Sequence, residues 1–121
     1  RHKKMKNKHR NKEECQAVIQ PVRDALDVLN GKWKLPIIIA LTLGKKRFSE
    51  MAREIPGITD RMLSKELREL EMNKLVTRTV YDAIPVVVEY SLTNYGDTLH
   101  NVIGELRKWG VKHRKLIMSG G

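Results

Sequence analysis

The chain has 121 residues and a formal net charge of +10, from 24 Lys+Arg against 14 Asp+Glu. That length suits a single domain able to bury a core without metals or disulfides, and one cysteine, Cys15, excludes an internal disulfide. The longest apolar run, 37–41, is far short of the ~20 residues of a membrane helix, and the scattered His2, His9, His100 and His113 do not make a metal set. The expectation is a cytoplasmic protein with no membrane association, metal or cofactor, meeting a polyanion.

Residues 1–12, RHKKMKNKHRNK, hold seven of the bases and no acid. Such a block cannot bury enough apolar surface to offset its ordering entropy, so 1–14 reads as a mobile basic arm without the apolar stretch of a secretory signal. Cys15 follows Glu13 and Glu14, acids rather than the cations that activate a thiol. It is the only redox candidate.

Pro21 in a first-turn position and Gly31 past the end bracket a short helix over 22–29, with Val22, Ala25, Leu26 and Leu29 on one face. The segment 32–43 is apolar on nearly every side, as in a helix buried at the middle of a domain, with Pro36 in its first turn. A basic loop, Lys45-Lys46-Arg47, leads to Ser49, which can cap a helix over 50–55 ended by Pro56-Gly57. Thr59 caps the next helix, 60–73, with Asp60 at its positive end. Its expected inward residues are Met62, Leu63, Leu67, Leu70 and Met72, with Arg61, Ser64, Lys65 and Arg68 on the other face. Helix, tight turn and helix make a helix-turn-helix.

The period then changes to two. Val76-Thr77-Arg78-Thr79-Val80 alternates as a half-buried strand, 81–85 turns at a proline, and 86–92 forms a second strand. Together they make a hairpin, the wing of a winged helix. A last helix over 94–117 repeats Leu99, Val102, Ile103, Leu106 and Trp109 at three- and four-residue spacing. The expected architecture is mainly α with a small β wing: a winged helix-turn-helix domain over 15–121.

Several segments in this order resemble one family. They are Ala25-Leu26-Asp27-Val28-Leu29-Asn30-Gly31-Lys32-Trp33, then Arg47-Phe48-Ser49-Glu50, Ile58-Thr59, Leu67-Arg68-Glu69-Leu70-Glu71, Val88-Glu89-Tyr90-Ser91-Leu92-Thr93 and Trp109-Gly110. Over about residues 20–112 the chain resembles the HxlR-type winged-helix transcriptional regulators. The resemblance implies a small bacterial DNA-binding regulator of MarR-like architecture, dimeric through its terminal helices. Two positions depart from the family pattern. Gln20-Pro21 stands where a Cys-Pro is common, and Val87 stands in the wing where a cation is common.

In a helix-turn-helix the second helix enters the major groove, and its first residues reach base edges. Thr59, Arg61, Met62, Ser64 and Lys65 are therefore the candidate base readers, Arg61 having the fork that suits guanine. Lys45, Lys46, Arg47, Ser49, Arg68 and Arg78 are candidates for the phosphate backbone. Residues 45–92 hold nine bases and eight acids, so the order of motifs carries the inference and charge does not. One recognition helix reads few base pairs, and a homodimer doubles the site. Leu99, Val102, Ile103, Leu106 and Trp109 are the candidate dimer interface. The expected activity is sequence-specific transcriptional regulation on a palindromic duplex operator, by a protein that is not an enzyme and whose effector the sequence does not name. An RNA- or ribosome-associated basic winged helix is the alternative.

Overall fold

The computed structural model describes residues 8–120, and the chain parts into two compact units between Asn30 and Gly31. The first unit is one helix, α1 (Lys8–Val28). Over 8–14 this helix stands where an arm was expected, and it extends the short helix expected over 22–29 towards the N-terminus. The Lys, Arg, Glu and Gln residues that read as a solvated tail are also good helix formers, and the helix runs through Pro21. Pro21 removes one helix hydrogen bond and crowds the carbonyl four residues back, and the Gln20 side chain spans the same turn by donating to Asp24 at 3.0 Å. Beyond the helix, the Asn30 amide donates back to the Asp27 carbonyl at 2.8 Å. The remainder of the arm, 1–7, lies outside the described residues.

The second unit opens on α2 (Lys34–Thr42), whose Ile37, Ile38, Ala40 and Leu41 are buried. Pro36 lies in the first turn, where a missing N–H is harmless. Ile39 and Leu43, expected inside, are exposed. Residues 45–47 are not a plain loop: Lys46–Arg47 form a two-residue strand, β1. Helix α3 (Phe48–Glu54) follows directly. Its N-cap is Arg47 and not Ser49, because the Glu50 carboxylate turns back to accept the Arg47 N–H at 2.7 Å. Gly57, at φ +83°, makes the turn after Pro56, and α4 (Asp60–Met72) begins under a Thr59 cap whose hydroxyl accepts the Met62 N–H at 3.1 Å.

Strands β2 (Val76–Tyr81) and β3 (Val87–Leu92) pair antiparallel from Val76 opposite Leu92 to Tyr81 opposite Val87. β1 joins the other edge of β3, with Lys46 opposite Tyr90, giving the order β1-β3-β2. The last helix is broken in two, a short α5 (Asn94–Asp97) and a long α6 (His100–Met118). Thr93 caps α5 by accepting the Gly96 N–H and ties it to the end of α4 by donating to the Lys74 carbonyl at 2.7 Å. Met51, Leu63, Leu67, Leu70, Leu75 and Tyr90 join the α2 residues in one core beneath α4 and the sheet. No residue of α6 is buried.

Candidate nucleic-acid interface

Helix α4 divides sharply around its axis. Leu63, Glu66, Leu67 and Leu70 face inward, and Arg61, Met62, Lys65, Arg68 and Met72 are exposed. Met62 and Met72 thus correct the inward placement expected of them. Met62 follows Arg61 on the exposed side of the helix. The spacing 61, 65, 68, 72 keeps one stripe on the surface over three turns. Arg61, Ser64, Lys65, Arg68, Glu69 and Met72 line a shallow concavity of about 680 Å³ along this face.

The wing adds a second feature at the C-terminal half of α4. Ser64, Arg68 and Glu71 meet Arg78 and Tyr90 of the sheet around a smaller recess of about 380 Å³. Two arginines predicted as separate phosphate contacts therefore open onto one hollow. Among the described residues Arg61, Arg68 and Arg78 hold no ion pair.

The lysines differ. Lys65 is held by Glu69 at 3.2 Å, four residues on. Lys46 is largely covered and pairs with Glu54 at 3.0 Å, so of the basic loop it is the residue least able to reach a ligand. Lys45 is exposed, 3.9 Å from Glu89, and borders a different recess with Ser91, Thr93 and Asp97. Arg47 and Ser49 are exposed at the start of α3. The wing beyond Arg78 carries no base up to Leu92. Its tip is apolar, with Val80, Ile84 and Val86 exposed beside the carboxylate Asp82.

Two glutamates that sequence reasoning left unassigned matter for α4. Lys34, 2 % exposed at the start of α2, donates to Glu66 and to Glu69 at 2.6 Å each. Burial by itself pulls the Lys34 ammonium down, but the hydrogen bonds and charges of the two carboxylates outweigh it and hold the group above its ordinary value. Lys34 first and then Lys65 hold the Glu69 carboxyl below the usual range. The available signal was positional. Glu66 and Glu69 flank the Leu63-Leu67-Leu70 stripe, and Lys34 stands inside an otherwise apolar segment.

The remaining candidates lie away from α4. Val102, Leu106 and Trp109 are exposed along α6, with Leu99 and Ile103 half-buried beside them. Trp109, expected in a core or interface, is 65 % exposed and stacks on His113 with ring centres 4.9 Å apart. Cys15 is exposed on α1. Among the described residues no helix is long and apolar enough to cross a membrane.

Three short helices on one core, the third presenting a capped, basic outer face, followed at once by an antiparallel hairpin, define a winged helix-turn-helix. Residues 28–118 match the model of the HxlR-like helix-turn-helix family. The HTH-type transcriptional regulator YybR of Bacillus subtilis is 45% identical over 114 residues, covering 94% of this chain and 87% of that protein. Among solved structures, the redox regulator HypR in its reduced form superposes with a TM-score of 0.78 at 45% identity, over 83% of this chain and 99% of that one. A regulator of the MarR family from Enterococcus faecalis V583 gives 0.71 at 39% identity, over 78% and 86%. The chain belongs to the HxlR-like helix-turn-helix family and is a transcriptional regulator of the helix-turn-helix type.

Proposed function

We propose that the chain binds duplex DNA sequence-specifically, as a homodimer on a palindromic operator. The observation that carries this reading is the outer face of α4. It is a capped helix over a rigid core, with Arg61, Ser64 and Arg68 outward and Arg78 of the wing opening on the same side. In this reading Thr59, Arg61, Met62, Ser64 and Lys65 address base edges, and Arg68 and Arg78 hold phosphates with Arg47, Ser49 and Lys45 flanking. Lys46 contributes least, being tied to Glu54.

Two observations support a homodimer. Helix α6 buries none of its residues and carries Val102, Leu106 and Trp109 along one side. Helix α1 separately exposes Val18, Ile19, Val22 and Leu26 on one face. Apolar stripes of this length are the usual sign of a partner surface. A symmetric pair would place its two recognition helices on half-sites about 34–36 Å apart.

Selection of bound sequences from a random duplex library tests the reading. The expected result is an enriched inverted repeat that binds at least about 1,000-fold more tightly than random duplex. Equal affinity for the selected and the random sequences would overturn it.

A further inference from the structure

The contacts that pin α4 to the core are of two kinds. Leu63, Leu67 and Leu70 are buried in the core where α4 meets α2, and that close apolar packing decides which face of α4 points inward. The other contact is directional. The Lys34 ammonium sits within 2.6 Å of both Glu66 Oε1 and Glu69 Oε1, two carboxylates three residues apart and so on adjacent turns of the same helix. Short charge-assisted hydrogen bonds fix geometry as well as adding energy, and with Lys34 only 2 % exposed the groups cannot exchange them freely for water.

The same network reaches the outer face. Glu69 accepts Lys34 on one oxygen and Lys65 at 3.2 Å on the other, and Lys65 also stands 4.0 Å from Glu66. The two lysines and two glutamates joined by these contacts carry equal and opposite formal charge. Removing Lys34 would leave one uncompensated negative charge on the helix that has to approach phosphates.

We propose that Lys34 is a positioning residue for DNA recognition, which acts through Glu66 and Glu69 to fix the rotation of α4 and to cancel the carboxylate charge behind Lys65. The inference rests on the DNA-binding reading above. It assigns Glu69 a second effect, that of holding Lys65 off the phosphates so that it stays available to a base edge of a matched site.

The test uses the full chain, a selected duplex and a random duplex, titrated over a series of salt concentrations, with urea midpoints taken in parallel. Lys34→Met should lower affinity for both duplexes and reduce the ratio between them by about tenfold, the order of one poorly met base contact. Lys34→Met/Glu69→Gln, which restores neutrality, should regain the random-duplex affinity but not the ratio. Glu69→Gln alone should steepen the salt slope by about 0.9, one added phosphate contact. A Lys34→Met protein with the wild-type ratio and slope would overturn the proposal. So would failure of the neutral double variant to recover random-duplex affinity, since a purely structural defect has no charge to restore. Should Lys34→Met not fold, Glu69→Gln decides alone, an unchanged slope counting against. Wild-type protein that binds neither duplex would overturn the DNA reading itself, an outcome distinct from wild-type binding that Lys34→Met leaves untouched.

Discussion

Arg68 of α4 and Arg78 of β2 open onto one recess, shared with Ser64, Glu71 and Tyr90. Two arginines lining one recess with a single carboxylate give it an excess of positive charge, suited to an anion such as a backbone phosphate. Arg78→Ala should weaken binding to all sequences alike and reduce the salt slope by about 0.9. Fluorescence anisotropy across salt concentrations measures both. A loss confined to one sequence would make Arg78 a base reader.

Arg61 is the second residue of a helix capped by Thr59, exposed and holding no ion pair among the described residues. Arg61→Ala should cost about 1–3 kcal/mol on the selected site and little on random duplex. Equal losses on the two would move Arg61 to the backbone class.

The unburied side of α6 leads to a prediction on assembly. Leu106→Glu with Trp109→Ala replaces two of its exposed apolar residues and should shift the protein from dimer to monomer at micromolar concentration in analytical ultracentrifugation. Affinity for a palindrome should fall with it, and affinity for a single half-site should not. A wild-type monomer would remove the dimer from the picture.

Gly96 is held against the backbone of Leu75, and a Cβ there would run into the Leu75 carbonyl oxygen. That carbonyl also accepts the Thr93 N–H at 3.0 Å, so it is not free to swing away. Gly96→Ala should destabilise the protein by about 1–3 kcal/mol, the usual range for overpacking. Urea denaturation would show it, and Gly104→Ala, whose Cβ meets nothing within 4 Å, is the control.

The Lys34 cluster gives stability a defined pH window. The Lys34 group is raised above its ordinary 10.5, so its stabilisation is complete below that pH and is lost as pH climbs through the higher folded value. Glu69 is lowered below its ordinary 4.5, so its share is complete above that pH and is lost as pH falls through the lower folded value. The difference in urea midpoint between wild type and Lys34→Met should therefore be flat at neutral pH and shrink at both extremes. A difference that widened above pH 10.5 would reverse the sign of the Lys34 effect.

What the sequence made legible was local. Thr59 and Asp60 announced the start of α4 and Pro56-Gly57 the turn before it. The β-branched run from Val76 to Val80 announced a strand, although only Val76 of it is buried where a half-buried strand was expected; each of these signals acts within a few residues of its effect. What it hid was carried by distant partners. β1 is two residues long and exists only because Lys46 pairs opposite Tyr90. Lys34 drew no notice inside the apolar segment 32–43, because its partners lie 32 and 35 residues away. Met62 and Met72 read as core by their side chains alone, yet the inward stripe had no place for them. Pro21 read as a helix start although a helix already under way can pass through one proline. The break between α5 and α6 has no Pro to mark it, and the tight fit of Gly96 on Leu75 shows only in three dimensions. Within the candidate site, the exposed residues of α4 were the legible part and the buried ions that hold them were not.

From Thr79 to Leu92 the wing has no positive charge, and its tip ends in the apolar Ile84, Pro85 and Val86. Such a wing gains nothing from the counterion release that draws a protein onto any duplex. On the proposed DNA-binding reading, α4 and Arg78 at the base of the wing would hold non-cognate DNA and the rest of the wing would stand idle. It would add to binding only where the groove closes around it, through contact that salt does not weaken. The wing would thus act as a gauge of groove shape, felt in the lifetime of the final complex and absent from the speed of the search.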